Sequence, residues 1–463
     1  MPAASARATE PASRFGFRLT ATLLVVCVAF GGRSAGTPLS EALMRTLAVG
    51  LLLWLAFAPR RAADSKLIIA SVLLMLATLL AGALQMLPLP EGMWSSLSGG
   101  PIAADLVRTS LGEVGWRPLT LNIDGTRETL LTLLPPFALF LAVIEMDAAD
   151  RRRLAFLVLI LAALSVVVGL LQFASRTGMY PYETTHQGHS VGLFSNRNHQ
   201  ADLTLIAALL AAVFFAGRKG GQAGAAGTLV AVALLAVIAL NLAAAASRTG
   251  IMLAIPAFLL GGWIAFGKRA RSKWTLVAAG ALVVIAVTSV MMRPDLFAHV
   301  SDRFASTTDD TRFEAWPEVW KVIKLYMPLG SGLGTFVPVH QSIENLDMVS
   351  DRYLNHAHND YLEILLEMGV VGVLLLVWFF VLLLWAVKDN LLAPAVNERY
   401  RALSLAAAGG IAILLAHSVV DYSLRTSTLM AVFALFFAIL MPLPEREPGR
   451  PRQGRRGAAA DEE

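Results

Sequence analysis

The sequence predicts an all-α, polytopic membrane protein of about twelve spanning helices. Three observations carry that expectation. The 463-residue chain is 56% hydrophobic and only 15% charged, against roughly 25% charged in a typical soluble domain. Its mean hydropathy is +0.63. Its apolar residues gather in runs of about 20, the length that crosses a bilayer as a helix. A soluble chain of this size needs a far more polar surface, so most of this one is expected to face lipid.

The runs lie at 17–35, 42–58, 67–87, 127–146, 154–174, 199–216, 227–246, 250–267, 274–292, 360–387, 401–420 and 426–443. The first follows Arg7, Arg14 and Arg18, as in a signal peptide. No small-x-small cleavage pattern follows, so it reads as a retained helix. The single cysteine, Cys27, lies inside it. It can form neither an intrachain disulfide nor a thiolate metal site and reads as a packing residue.

The net charge is +5 and the pI about 9.5. A basic balance can signal nucleic acid. Here the cations sit in alternate loops: Arg60, Arg61 and Lys66; Arg151–Arg153; Arg218 and Lys219; Lys268, Arg269, Arg271 and Lys273; Lys388, Arg399 and Arg401. That pattern reads as topology, with no nucleic acid partner, and places these loops in the cytoplasm. The expected order is a cytoplasmic N-terminus over 1–16, helices one to nine over 17–292, a large outer loop over 293–359, helices ten to twelve over 360–443, and a basic, disordered cytoplasmic tail over 444–463. The other long loops, 88–126 and 175–198, share the outer side. Long ordered loops are where chemistry is expected.

Four polar groups fall on that outer side. Gly192-Leu193-Phe194-Ser195-Asn196-Arg197-Asn198-His199 runs into the sixth span. Ser195, Asn196 and Asn198 suit a helix cap. Arg197 beside a helix N-terminus also suits an anion. Ser247-Arg248-Thr249-Gly250 is a tight connection whose arginine either snorkels to water or holds a phosphate. In the large loop, Arg312 precedes Trp316, Val319, Trp320, Ile323 and Met327 at helical spacing, which reads as an interfacial helix on the bilayer. Gly330-Ser331-Gly332-Leu333-Gly334 follows and reads as a turn, since it lacks the Gly-Lys-Ser/Thr of a phosphate loop. Fourth comes Asn355-His356-Ala357-His358-Asn359-Asp360, at the start of the tenth span. A His-x-His-x-Asp metal site, a helix cap by Asn359 and Asp360, and a general-base histidine oriented by Asp360 or Glu363 compete there. A minor fifth group is His417, Asp421 and Arg425, with Asp421 and Arg425 expected to pair.

Arginines and a histidine pair on one membrane face suit an anionic leaving group held by charge and a hydroxyl that must lose its proton. ATP is absent on that side, so energy arrives with the substrate. A sugar on a lipid pyrophosphate meets these conditions, with direct displacement at the anomeric carbon.

Asn196-Arg197-Asn198-His199, Ser247-Arg248-Thr249-Gly250, and His356-Ala357-His358-Asn359-Asp360 with Leu362, Glu367 and Gly369 resemble the O-antigen ligase/polymerase superfamily. The resemblance covers roughly 17–443 and is strongest over 190–375. It implies a GT-C-like, metal-independent, inverting glycosyltransferase without cofactor in a bacterial inner membrane, its site facing the periplasm. Its donor is an undecaprenyl-pyrophosphate-linked glycan and its acceptor lipid A–core or a glycan. Catalysis falls to His358, with His356 as the alternative. Substrate binding falls to Arg197, Arg248 and Arg312, with Asn196, His199, Asn359 and Asp360 beside them. O-antigen ligase is the first expectation and O-antigen or exopolysaccharide polymerase the second. A transporter or flippase is the rival from another class.

Overall fold

The computed structural model describes residues 3–34, 37–97, 99–175, 179–216, 225–266, 311–344, 353–392 and 398–444. The chain is an all-α membrane bundle. In order come α1 (Ala3–Phe30), α2 (Pro38–Phe57), α3 (Lys66–Gln85), the short α4 (Glu91–Trp94), α5 (Gly100–Leu111), α6 (Ile123–Thr132), α7 (Leu134–Ile144) and α8 (Ala148–Ser175). Then follow α9 (Arg197–Ala216), α10 (Ala225–Ala245), α11 (Arg248–Phe266), α12 (Thr311–Tyr326), α13 (Phe336–Gln341), α14 (Asp360–Leu392), α15 (Glu398–His417) and α16 (Ser427–Ile439). Two-residue strands β1 (Pro88–Leu89) and β2 (Arg117–Pro118) pair antiparallel in the loop after α3.

Every predicted span falls on helix except 274–292, which lies outside the described residues. Among those residues, seven helices are long and apolar enough to cross a membrane. The run 127–146 is one of them: α6 and α7 follow one another over Ile123–Ile144, Leu133 between them keeps αR dihedrals, and only the N–H groups that Pro135 and Pro136 lack interrupt the ladder. One predicted span differs from expectation. The run 426–443 yields only 13 helical residues, about 20 Å, against a hydrocarbon core of about 30 Å. α16 is buried almost throughout and faces protein rather than lipid. Elsewhere, Leu73, Leu76, Leu80 and Leu84 on α3, and Leu374, Val377, Val381 and Leu384 on α14, form exposed apolar stripes at helical spacing. Such stripes have no place on a soluble surface and fit lipid.

The bundle has two chemically different ends. α15 begins with Arg399 and Arg401 and finishes at His417, about 30 Å away at 1.5 Å per residue. α8 begins with Arg151–Arg153, and its last turn holds the segment before α9: Gln172 accepts from the Gly192 amide at 2.8 Å. α14 begins at Asp360 and carries Lys388 near its far end. Basic clusters and polar constellations therefore occupy opposite ends of the same helices.

Arg151 is not a loop cation. It is fully buried. Its guanidinium donates to the carbonyls of Val143, Ile144 and Met146 at the end of α7, and of Ala438, Met441 and Pro442 at the end of α16. It also donates to the Tyr400 hydroxyl at 3.0 Å. Two helix C-termini, each with unpaired carbonyls and negative dipole ends, are tied by one cation. Truncation to Ala leaves those acceptors without donors, at about 1–3 kcal/mol for each that finds no water. Arg151→Ala is expected to lower the thermal midpoint in detergent strongly, while activity per folded molecule holds. An unchanged midpoint would sink this assignment.

The large loop also differs from expectation. The apolar face of α12 does not lie on a bilayer. Val319, Val322 and Ile323 are buried against Phe336, Ala357 and Leu366, and the Trp316 indole donates to the Ala357 carbonyl at 3.0 Å. Trp320 alone of the predicted stripe stays well exposed. The glycine run is a turn, as expected. It fits against a break in α14 at Gly369, where φ is 55°. A side chain there would put its Cβ 2.1 Å from the Pro328 oxygen. The break frees the Leu366 and Glu367 carbonyls, which accept from the Ser331 and Gly332 amides at 2.9 Å each. These amides cap a broken helix rather than cradle a phosphate.

Candidate active site

A short turn between α15 and α16 gathers the polar residues. Asp421, Tyr422, Ser423, Leu424 and Arg425 fill it, with Ser423–Arg425 in a single 3-10 turn. Its residues tie it to two helices, α9 and α14. Asp421 accepts from the Asn198 side chain of α9. The Ser423 hydroxyl donates to Asp202 of α9 at 2.6 Å, whose other oxygen meets His417 Nδ1 at 2.5 Å. The Leu424 amide and the Arg425 guanidinium donate to Asp360, at 3.4 and 3.2 Å. Arg425 also faces Glu363 at 3.5 Å and Glu367 at 3.3 Å. Asp360, Glu363 and Glu367 recur at three- and four-residue spacing, on one face of the segment of α14 before its break. Burial alone lowers the Arg425 pKa, but the three carboxylates outweigh it and hold the guanidinium charged.

Two histidines stand over this turn, each backed by a carboxylate. His358 Nδ1 lies 3.2 Å from Asp421 Oδ1. His356 Nδ1 lies 2.8 Å from Glu363 Oε1. An ionised carboxylate only accepts, so in the neutral ring Nδ1 carries the proton and Nε2 presents its lone pair. Glu363 Oε2 also accepts from the Ala357 amide at 2.9 Å, fixing the backbone between the rings. Both side chains keep a little access to solvent, 14% for His358 and 18% for His356. His358 adopts φ of 49°, a left-handed conformation that costs an L residue on the order of 1 kcal/mol or more. Such backbone cost concentrates where geometry serves chemistry.

The arginines arrive on helix N-termini. Arg197 opens α9, one residue before the Asn198 that shares Asp421 with His358. Arg248 opens α11, where Ser247 caps the helix by accepting from the Gly250 amide at 3.2 Å. The two helix starts touch: a Cβ on Gly250 would lie 2.6 Å from the Ala201 methyl. The fold thus brings two helix N-termini together, each opened by an arginine, an arrangement that suits an anion. Arg312 opens α12 one turn before Trp316, and of residues 311–314 only the backbone is described.

The remaining expected site residues divide. Asn196 caps α9, accepting from the Asn198 amide at 2.9 Å, and Asn359 caps α14, accepting from the Tyr361 and Leu362 amides at 3.0 Å. His199 is buried beneath the site at 1% exposure, its Nε2 4.0 Å from Asp421. Among the described residues neither of its ring nitrogens has a hydrogen-bond partner. Asp360 is committed to Ser418 and Arg425, so it does not orient a histidine. The expected pair of Asp421 and Arg425 does not form, because each has partners on another helix. His356, His358 and Asp360 each answer to a different partner. Among the described residues no three His, Cys, Asp or Glu side chains converge as metal ligands.

Tyr422, Ser423 and the orienting role of Asp421 were missed from sequence. Their partners lie 63 to 223 positions away in the chain, and no local spacing signals such contacts.

No curated protein matches the chain. Residues 231–377 match the family model described as O-antigen ligase. That stretch holds the Ser247-Arg248-Thr249-Gly250 connection, the described part of the large loop, both dyad histidines and the carboxylate face of α14. Over residues 231–377, then, the chain is similar to the O-antigen ligase family.

Proposed function

We propose that this membrane glycosyltransferase moves a glycan from an undecaprenyl-pyrophosphate donor to a hydroxyl of lipid A–core, as an O-antigen ligase, on the periplasmic face of the inner membrane. The observation that carries the reading is the His358–Asp421 dyad, joined through Asn198 to the helix start that bears Arg197. The sidedness is supported by the basic clusters at the far end of the same helices.

In the proposed step the acceptor oxygen attacks the anomeric carbon from the face opposite the pyrophosphate. The new carbon–oxygen bond forms as the bond to phosphate breaks, which inverts the centre. His358 Nε2 takes the hydroxyl proton, and Asp421 stabilises the resulting imidazolium. The lipid pyrophosphate leaves with the electron pair, its charge held by Arg197 and Arg248. All of this is charge and proton handling by side chains, so transfer is expected to proceed in a chelator.

Removing either arginine takes away a donor aimed at developing charge. Arg197→Ala and Arg248→Ala are each expected to lower kcat by about 10²–10³-fold. Lys is expected to restore little, since it cannot match two oxygens at once. Transfer rates with purified donor and acceptor check this, and a Lys variant at full rate would count against bidentate recognition. The function itself is tested by deleting the gene and analysing surface polysaccharide. Full-length polymer stranded on the carrier lipid supports the ligase. Surface lipid with one repeat unit moves the reading to a polymerase. Unchanged glycan overturns both. Against a transporter, α9 is apolar from Leu205 to Ala216, past its polar first turns, so it offers no polar path through the membrane.

A further inference from the structure

Tyr422 belongs to none of the motifs that drew attention to this chain. It sits at the centre of the histidines all the same. Its ring centroid lies 4.5 Å from that of His356, 4.8 Å from His358 and 5.1 Å from His199. The His358 and His199 contacts are edge-on, at 62° and 82°, and the His356 contact is tilted at 38°. These are separations and angles that aromatic rings favour. Its backbone adds a second constraint. The Tyr422 amide donates to Asp421 Oδ1 at 2.9 Å, the same oxygen that faces His358.

We propose that Tyr422 is the positioning residue of the site, its ring the common wall that sets His356 and His358 and its amide the fixture of the carboxylate behind His358. The carboxylates alone leave each imidazole free to swing about one hydrogen bond. The shared ring removes that freedom and holds the two dyads in one arrangement. Neighbouring contacts keep the ring in place: Ser423 is anchored to Asp202, and Leu424 to Asp360. The consequence for rate rests on the proposed role of His358 as base, but the geometry does not.

The test uses the full-length protein in nanodiscs, with Tyr422→Phe, Tyr422→Leu and Tyr422→Met. Two readouts are taken: kcat and KM for the lipid-linked donor, and carbethoxylation of His356 and His358 by diethyl pyrocarbonate, mapped by peptide mass across pH. Leu and Met are expected to lower kcat by about 30–100-fold with KM within about 3-fold, since a misplaced base loses rate rather than binding. In the same variants carbethoxylation of both histidines is expected to rise at least about 5-fold, with a moved pH midpoint, as the rings loosen. Phe, which keeps the wall, is expected to stay within about 3-fold of the parent in both readouts. Unchanged carbethoxylation in Leu and Met overturns the proposal. So does equal loss in Phe, which transfers the role to the hydroxyl. Failure of both Leu and Met to fold also overturns it, by making Tyr422 a folding residue. If the parent shows no transfer, the functional reading fails, and carbethoxylation still decides the role of Tyr422.

Discussion

Replacing His358 with Asn is expected to lower the transfer rate by about 10²–10⁴-fold, the range that a well-placed general base contributes. Asn is the informative substitute. It tolerates the left-handed backbone that His358 adopts, so the turn into the Asn359 cap survives. Its amide can donate to Asp421, so the carboxylate is not orphaned, yet it offers no lone pair basic enough for a hydroxyl proton. Donor binding is therefore expected to hold while kcat collapses. The measurement is single-turnover transfer with purified donor, alongside a thermal midpoint. Full activity in a folded His358→Asn protein would remove His358 as the base. The same change at His356 then becomes decisive, because that ring has its own carboxylate in Glu363.

The second large effect is expected at Asp421. Among the described residues its carboxylate accepts from the Asn198 side chain, the His358 ring and the Tyr422 amide. Asn at this position has one acceptor oxygen and brings an NH₂ group. If the NH₂ faces His358, the ring must take the opposite tautomer, and Nε2 then carries the proton it is meant to receive. If the oxygen faces His358, the imidazolium formed during transfer loses its counter-charge. Either way Asp421→Asn is expected to cost about 10²–10³-fold in kcat with little change in KM, somewhat less than a tautomer error costs in a serine hydrolase. The pairing makes a sharper claim. Residues that act as one unit are not additive, so the His358→Asn/Asp421→Asn double variant is expected to be no slower than His358→Asn alone. A double variant slower by the product of the single losses would separate the two residues and dissolve the dyad.

The membrane class, the position of most helices and the gathering of polar residues at one end were all legible in the chain. Lipid permits little else: a spanning segment must satisfy its backbone internally and keep its surface apolar, so helices announce themselves as long apolar runs. Arg197, Arg248 and His358 stood out as candidates too, because a charged or titratable side chain at the edge of such a run calls for a reason. Errors arose where a residue met its partner far along the chain. Arg151 looked like one more cytoplasmic cation, and only the approach of the α7 and α16 C-termini makes it a buried tie between helices. The stripe Trp316, Val319 and Ile323 had the periodicity of a bilayer-lying helix, but periodicity does not say whether lipid or protein covers an apolar face. The packing of α12 against Ala357 and Leu366 decides that.

The same division runs through the site. By itself the sequence determined at which end of the bundle the candidate residues gather and of which types they are, because lipid penalises every polar group that has no partner. Only the tertiary structure decided the pairings: His358 with Asp421, His356 with Glu363, Arg425 with three carboxylates, and Tyr422 among the rings. Those pairings depend on distances of a few ångströms between helices far apart in the chain. Such distances are set by packing of the whole bundle and leave no trace in local spacing.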